Sequence, residues 1–284
     1  MSDDVIGNPW EALRRFTRAR IALGRAGDSL PTDAVLDFGL AHAQARDAVH
    51  HPLDTEALAK AVEAQGLESL CVASAASDRA QYLVRPDLGR RLLASSAARL
   101  DAYASGRAGT HEHDQAESRP VAVFVAGDGL SAFATQRHVA PLLTELLPAL
   151  THWSIGPLVI ATQSRVALGD EIGERLGADV VIMLIGERPG LSSPDSLGIY
   201  VTWQPKVGRT DAERNCISNV RPEGLAYAAA AHKLLYLLGR ARELGATGVV
   251  LKDESDGAAS LSTSTASSTS TSPAAAAASP LVHP

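Results

Sequence analysis

The sequence is poor in the residues on which several protein classes depend. Only two of its 284 residues are cysteines, Cys71 and Cys216, which argues against a disulfide-rich secreted domain and favours a reduced, intracellular protein. Aromatic residues make up 4% of the chain and the formal net charge is −6, so a nucleic-acid-binding protein is not expected. No apolar run approaches the ~20 residues of a transmembrane helix, and the first residues lack the features of a signal peptide. We therefore expect a cytoplasmic protein without a membrane or nucleic-acid partner.

Aliphatic residues are abundant, and their spacing divides the chain into three regions. Residues 1–110 carry apolar residues at helical spacing, which predicts an N-terminal helical region, and a polar linker is predicted from Thr110 to Ser118. Residues 119–254 alternate short apolar runs with helical patterns, which predicts an α/β fold with a Rossmann-like, mostly parallel sheet. Residues 255–284 are nearly all Ser, Thr, Ala and Gly, and predict a disordered tail.

The α/β region contains five candidate strands and three candidate helices. The strands are predicted over Val121–Ala126, Leu158–Ala161, Val180–Ile185, Ile199–Thr202 and, as a candidate fifth, Val249–Leu251. The helices are predicted over Ser131–Leu150, with Pro141 as a candidate break, Asp170–Leu176 and Glu223–Leu244.

Turns with polar side chains follow four of these strands. Ligands bind outside the carboxyl ends of the strands in open α/β sheets, so these turns are candidate sites. They are Gly127–Ser131, Gln163–Val166, Gly186–Gly190 and the long polar stretch Gly208–Asn219.

The first three turns each have a structural interpretation beside the functional one. The glycines of the first turn either let an anionic ligand approach the helix N-terminus closely, or the turn serves only to cap that helix through Asp128 or Ser131. Arg165 either meets a phosphate, carboxamide or carboxylate or is a solvated arginine at a strand end. Glu187 either accepts hydrogen bonds from a ligand or belongs to a rigid turn in which it pairs with Arg188 or water.

No catalytic set accompanies these turns. Cys216 has no histidine near it in sequence, and a packing thiol explains it as well as a nucleophile does. His50-His51 and His111-x-His113 come nearest to metal-binding pairs, and we predict no metal site. Ligand-binding turns without acid–base groups indicate a subunit that holds a cofactor while another chain supplies the chemistry.

Eight short stretches together resemble the small (β) subunit of ethanolamine ammonia-lyase. They run in order through most of the chain, and the Ser/Thr/Ala tail lies outside the resemblance. The stretches are Asn8–Trp10, Leu13–Arg15, Ala19–Ile21, Gly24–Gly27, Tyr82–Arg91, Asp128–Ser131, Gly186–Leu191 and Asn215–Asn219.

The resemblance implies a specific activity and site. That family's enzyme converts ethanolamine to acetaldehyde and ammonia by a radical mechanism with adenosylcobalamin, and its large subunit carries the catalytic groups. The cofactor lies between the subunits, and its contacts in the small subunit correspond to Val166, Glu187 and Cys216 here. The enzyme is then a cytoplasmic hetero-oligomer, free or enclosed in a bacterial microcompartment.

Two other classes of function stay open on the residues alone. One is a self-contained nucleotide-binding oxidoreductase or transferase on a doubly wound sheet, although the glycine fingerprint G-x-G-x-x-G is incomplete. The other is a scaffold that binds no ligand, which leaves the polar strand-end turns unexplained.

Overall fold

Helices cover both faces of one mixed β-sheet. The structure, a computed structural model, describes residue 8 and residues 10–108 and 119–255. The α-helices are α1 (Thr32–His50), α2 (Thr55–Glu63), α3 (Arg79–Val84), α4 (Ala94–Ala108), α5 (Ala132–Leu146), α6 (Leu168–Arg175) and α7 (Tyr227–Leu244). The strands are β1 (Ser69–Ala73), β2 (Val121–Gly127), β3 (Ser154–Ile155), β4 (Leu158–Thr162), β5 (Val180–Gly186), β6 (Leu197–Trp203) and β7 (Asn215–Val220).

The strand order is β1-β4-β2-β5-β6-β7, and the short β3 pairs with β2. The strands β1, β4, β2 and β5 are mutually parallel, whereas β6 and β7 are added antiparallel. The predicted α/β class and mostly parallel sheet are therefore confirmed. Four of the five predicted strands are found within two residues of their predicted bounds.

Alternate residues of the central strands belong to two separate cores. Along β2, Phe124 packs on one face with leucines of α5 and α7, while Val123 and Val125 pack on the other with α4 and α6. All seven residues of β5 are buried, as expected for an inner parallel strand covered on both faces. The apolar run that ends at Gly186 is therefore an inner strand of the sheet that is buried on both faces.

The prediction of a strand over Val249–Leu251 is wrong. These residues form a turn in which Val249 N donates to the Ala212 carbonyl at 2.9 Å. Val249 and Val250 are 77% and 66% exposed, so this apolar pair has no sheet face to cover. Pro141 does not break α5, which runs to Leu146 before a 3₁₀ turn.

Three strands of the sheet were not predicted, namely the two-residue β3 and the two edge strands. The strand β1 lies within the region predicted as helical and forms one edge of the sheet, with Ser69–Ala73 pairing in parallel with β4. The strand β7 lies within the polar stretch predicted as a loop and forms the other edge. Its apolar Ile217 and Val220 are buried, while its polar residues stay more exposed.

Some predictions fall on residues that the structure does not describe. The linker over Thr110–Ser118, with His111 and His113, lies outside the described residues. So does the tail predicted over 255–284, apart from Ser255, whose backbone N–H donates to Asp253 at 3.0 Å. Within the described ranges, no helix is both long and apolar enough to cross a membrane.

Candidate functional site

An open cleft of about 470 Å³ lies at the carboxyl ends of β2, β4 and β5. Three of the four polar turns contribute to it, together with one tyrosine from α3 and another from β6. The lining residues are Tyr82, Gly129, Leu130, Arg165, Val166, Ile185, Gly186, Glu187, Arg188 and Tyr200. The carboxyl ends of these strands, where ligand-binding turns were expected, therefore form a concave surface.

Gly129 and Gly186 let two of the turns touch through their backbones. Leu130 N donates to the Gly186 carbonyl at 2.9 Å, and Gly129 has a positive φ of 55°. A Cβ on Gly129 would lie 2.2 Å from the Gly186 oxygen, and one on Gly186 would lie 2.0 Å from the Ser131 oxygen. The close contact between the two turns thus requires glycine at both positions. No bound phosphate is needed to explain why glycine occurs there.

Asp128 fixes the turn after β4 and does not cap α5. Its carboxylate accepts from the backbone N–H groups of Gln163 at 2.8 Å and Ser164 at 2.9 Å, and so holds Gln163 at a positive φ of 54°. The capping role belongs to Ser131, whose Oγ accepts from Ala134 N at 3.4 Å.

The Asp128 carboxyl lies in a low-polarity environment next to a cation. Its burial raises its pKa, and the hydrogen bonds from Ser164 and Gln163 and the charge of Arg79 oppose that rise. Arg79 Nη1 lies 3.7 Å from Asp128 Oδ2 and donates to the Gly129 carbonyl at 2.8 Å. Asp128 is therefore a structural bridge between the turns after β2 and β4.

Arg165 is partly buried and stacks on Tyr82. Its guanidinium carbon lies 4.2 Å from the centre of the Tyr82 ring, and that of Arg79 lies 4.7 Å from the same centre. The Tyr82 hydroxyl donates to the Ser164 carbonyl at 3.0 Å, and Arg165 N donates to the Gly89 carbonyl at 2.8 Å. Burial raises the pKa of Tyr82 to about 12, so its phenol keeps its proton at neutral pH.

Val166 follows this stack directly and lines the cleft. The contacts of Arg165 and Tyr82 hold the backbone on its amino side, and Gly169 N donates to the Val166 carbonyl at 3.0 Å as α6 begins. Val166 therefore presents an apolar side chain from a rigid support.

Glu187 is half-buried and anchored through one carboxylate oxygen. Its Oε2 accepts from Ser196 Oγ at 2.7 Å and from Asn219 N at 3.2 Å, which ties the end of β5 to the start of β6 and to β7. Its Oε1 has no hydrogen-bond partner among the described residues. Arg188 is exposed and does not pair with it. Glu187 thus lines the cleft with a fixed carboxylate whose Oε1, which lies beside Gly198, keeps its capacity to accept a hydrogen bond.

Cys216 lies one strand away from the cleft lining. It pairs with Tyr200 across the β6–β7 ladder, and its exposed Sγ lies 3.3 Å from Ser218 Oγ. Tyr200 lines the cleft, and burial, followed by the neighbouring Cys216, raises the pKa of its phenol. The structure therefore brings Val166 and Glu187 together in one cleft and places Cys216 beside it.

Tyr82 and Tyr200 are cleft residues that the strand-end reasoning missed. Tyr200 occupies an internal strand position, and Tyr82 belongs to a helix far upstream in sequence. The signal for Tyr82 was its place in one of the eight family-like stretches. Over the described residues, no group of three or more His, Cys, Asp and Glu side chains is arranged to hold a metal ion.

Comparison with known proteins identifies the family. The model of the family described as ethanolamine ammonia-lyase light chain (EutC) matches residues 7–252. The chain belongs to the ethanolamine ammonia-lyase light-chain family. This membership confirms the resemblance seen in the sequence and the expectation of an ammonia-lyase subunit.

Individual relatives cover nearly the whole chain. An ethanolamine ammonia-lyase small subunit of Ralstonia nicotianae is 57% identical over 254 residues, which are 89% of this chain and 91% of the relative. One of Azotobacter vinelandii is 57% identical over 260 residues, 89% of this chain and 93% of the relative. One of Pseudomonas fluorescens is 57% identical over 250 residues, 87% of this chain and 88% of the relative.

Proposed function

We propose that this chain is the small subunit of an adenosylcobalamin-dependent ethanolamine ammonia-lyase and forms one wall of its cobalamin site. The enzyme converts ethanolamine to acetaldehyde and ammonia, and the large subunit completes the site and carries the catalytic groups. The observation that carries the proposal is the convergence of Val166 and Glu187 in one open cleft at the carboxyl ends of the parallel strands.

The residues of the cleft fit a corrinoid. Its ring is large and has apolar faces and amide side chains at its edge. Leu130, Val166 and Ile185 offer apolar contact, and Glu187 Oε1 offers an acceptor for an amide N–H. A cleft of about 470 Å³ is typical for a smaller ligand, so a corrinoid must extend beyond this chain. The geometry suits a site shared between two subunits.

The contacts of Glu187, Val166 and Cys216 support a separate role for each residue in holding the cofactor. When bound, adenosylcobalamin supplies the radical through homolysis of its cobalt–carbon bond. Glu187 orients the corrin through one amide, held in place by Ser196 and Asn219. Val166 packs against the ring and helps to exclude water. Cys216, with Ser218 at 3.3 Å, offers a weakly polar contact at the rim.

A self-contained nucleotide-binding enzyme is the less favoured function. Gly129 and Gly186 are occupied by the contact between their own turns, so they offer no open cradle for a pyrophosphate. Asp128 is buried, and its carboxylate is engaged by the backbone N–H groups of Gln163 and Ser164. It is therefore poorly placed to act as an acid or base. NAD-dependent turnover by the isolated chain would nevertheless revive this alternative.

The Glu187→Ala variant tests the proposal directly. In the complex with the large subunit, we expect its affinity for cobalamin to fall about tenfold, because a hydrogen bond to a charged acceptor is lost. The deamination rate at saturating cofactor should change far less, since the residue binds the cofactor without taking part in the chemistry. Equilibrium titration of the complex with adenosylcobalamin and initial-rate assays measure the two effects.

Two controls separate ligand contact from local structure. Ser196→Ala removes the internal bond to Glu187 Oε2 and leaves Oε1 in place, so its effect on affinity should be smaller. Glu56→Ala removes an exposed glutamate on α2 and should leave affinity unchanged. Wild-type cobalamin affinity in Glu187→Ala would remove this residue from the site.

A further inference from the structure

The segment from residue 10 to residue 40, called here the arm, exposes an unusual amount of apolar surface. Eight of the fifteen large exposed apolar side chains in the described part of the chain belong to it. They are Trp10, Leu13, Phe16, Leu30, Val35, Leu36, Phe38 and Leu40. A concentration of this kind marks an interaction surface, whereas scattered exposed apolar residues are ordinary.

The helical parts of the arm bury almost nothing within their own chain. The 3₁₀ helix Glu11–Phe16 has no buried residue, and α1, which begins in the arm and extends beyond it, buries only Ala34 and Ala48 of its 19 residues. Helices in proteins gain most of their stability by packing an apolar face. The side chains of Leu36 and Leu40 are four residues apart on one face of α1 and are 67% and 61% exposed. This face therefore lacks its packing partner.

The arm has a defined place on the molecule. The Arg20 guanidinium lies 5.3 Å from the centre of the Phe38 ring, which packs the first part of the arm on α1. A groove of about 360 Å³ is lined by Arg14 and Arg18 on one side and by Leu191 and Ser192 on the other. Leu191 directly follows the Gly186–Gly190 turn, so the arm is continuous with the rim of the cleft.

The charge of the arm restricts the chemistry of what covers it. Between residues 10 and 25, the first part of the arm, there are five arginines and one acidic residue, Glu11, whereas residues 26–40 add Asp28, Asp33 and Asp37. The arginines are Arg14, Arg15, Arg18, Arg20 and Arg25. The surface complementary to residues 10–25 is therefore apolar and bordered by carboxylates.

We propose that the arm docks on the large subunit, through an apolar patch that carries acidic residues at its edge. The proposal rests on the proposed function, which requires the large subunit to close the cleft beside Leu191. A second copy of this chain is the weaker choice, because a symmetric dimer through residues 10–25 would set arginines against arginines. The arm and the cleft rim then form one contact surface for the same partner.

The Leu36→Gln/Leu40→Gln double variant of the full chain tests the docking face. Glutamine keeps a high helix propensity, so the change removes apolar surface without disrupting α1. We expect the dissociation constant for the large subunit to rise at least tenfold, as measured by sedimentation of mixtures at graded concentrations. The matched control is Val249→Gln/Val250→Gln, in which two equally exposed valines outside the arm are changed and wild-type affinity is expected.

A charge variant provides an independent readout. Arg14→Glu/Arg15→Glu should slow association with the large subunit by tenfold or more at low salt and reduce the dependence of the rate on ionic strength. Unchanged thermal unfolding of the isolated variants would show that they fold, since all four side chains are exposed.

The outcomes distinguish this inference from the proposed function. Wild-type affinity for the large subunit in Leu36→Gln/Leu40→Gln would overturn the docking assignment and leave the proposed function intact. Loss of self-association by the same variant, with unchanged binding of the large subunit, would assign the arm to a second copy and also overturn it. Failure of the wild-type chain to bind the large subunit would overturn both.

Discussion

Tyr82 is the residue on which the support of the cleft depends. Two guanidiniums contact its ring, and its hydroxyl holds the turn that leads to Val166. Buried aromatic rings of this kind contribute both apolar packing and cation–π attraction, and substitution can remove the hydroxyl without removing the ring. In the proposed cobalamin site, Tyr82 would therefore be a positioning residue that acts through Arg165 and Val166.

Tyr82→Phe and Tyr82→Leu should differ in their effects. The phenylalanine variant keeps the ring and loses one hydrogen bond, so we expect a loss of about 1 kcal/mol in the free energy of unfolding and near-normal cobalamin affinity. The leucine variant loses the ring beneath Arg165, so we expect a loss of about 3 kcal/mol and clearly weaker cobalamin affinity. Urea unfolding and cofactor titration of the assembled enzyme measure these quantities.

Tyr103→Leu is the matched control for the leucine variant. Tyr103 also contacts an arginine, with the Arg107 guanidinium 5.6 Å from its ring centre, but it lies on α4 and does not line the cleft. Its loss should leave cobalamin affinity unchanged. If Tyr82→Leu lowers stability without lowering that affinity, Tyr82 supports the fold alone.

At the residue scale, the sequence predicted the position of the cleft but not the side-chain contacts that hold its turns in place. Glu187 was predictable because glycines and a proline end a fully apolar run, so a polar turn had to lie at a strand end. The Arg165–Tyr82 stack was not predictable, because it joins residues 83 positions apart through packing that no local pattern encodes. The role of Asp128 was missed for the same reason, since its partners Gln163 and Ser164 follow another strand.

At the scale of elements, a buried ion pair fixes the approach to the edge strand β7. Arg214 lies just before that strand and forms a salt bridge with Asp170 of α6, and both side chains are 2% exposed. Its Nη1 also donates to the exposed Asp211 at 3.0 Å. Leaving one charge of such a pair buried alone typically costs ~3–5 kcal/mol.

The Asp170–Arg214 pair predicts a specific pH dependence. Burial, partly offset by Arg214, raises the pKa of Asp170 to about 6, above the value in the unfolded chain. The folded state therefore binds this proton more tightly, and the contribution of Asp170 to stability is lost as pH rises from about 4 to above 6. The difference in unfolding free energy between wild type and Asp170→Asn should fall by about 2 kcal/mol over this range.

Urea unfolding at a series of pH values measures this difference. Asp211→Asn removes the exposed carboxylate beside the same guanidinium and keeps Asp170, so the fall with pH should persist in that variant. A wild-type minus Asp170→Asn difference that is flat between pH 4 and pH 7 would show that Asp170 titrates alike in both states.

The elements differ in how far local pattern could reveal them. The strands β2, β4 and β5 were predictable because burial on both faces leaves continuous apolar runs. The strand β7 was not, because an edge strand with one buried face needs only Ile217 and Val220 to be apolar. The strand β1 is five residues long and surrounded by helices, so its pairing with β4 is decided by tertiary contact.

At the scale of the whole molecule, the compact unit ends where the family match ends. The unit that contains the cleft and the arm extends to Lys252, and the family model matches residues 7–252. The residues that carry the proposed site and docking surface therefore all lie before the Ser/Thr/Ala-rich stretch.

Truncation after Ser255 should preserve the function of the protein. The shortened chain keeps every residue of the cleft and the arm, so we expect its affinity for the large subunit and the deamination rate of the complex to equal those of the full chain. Sedimentation of the mixture and initial-rate assays compare the two forms. A loss of more than about twofold in either quantity would assign the removed residues a part in assembly or activity.

The touching glycines, Gly129 and Gly186, have a consequence for anyone who redesigns this protein. Because the two turns meet through backbone atoms, the spacing between the turns after β2 and β5 is fixed by main chain and not by side-chain size. A cleft reshaped for a bulkier cofactor analogue should therefore be trimmed at Leu130 or Ile185, whose side chains line it. Most substitutions of either glycine would force the two turns apart, so a mutant library that varies these positions would contain mainly distorted proteins.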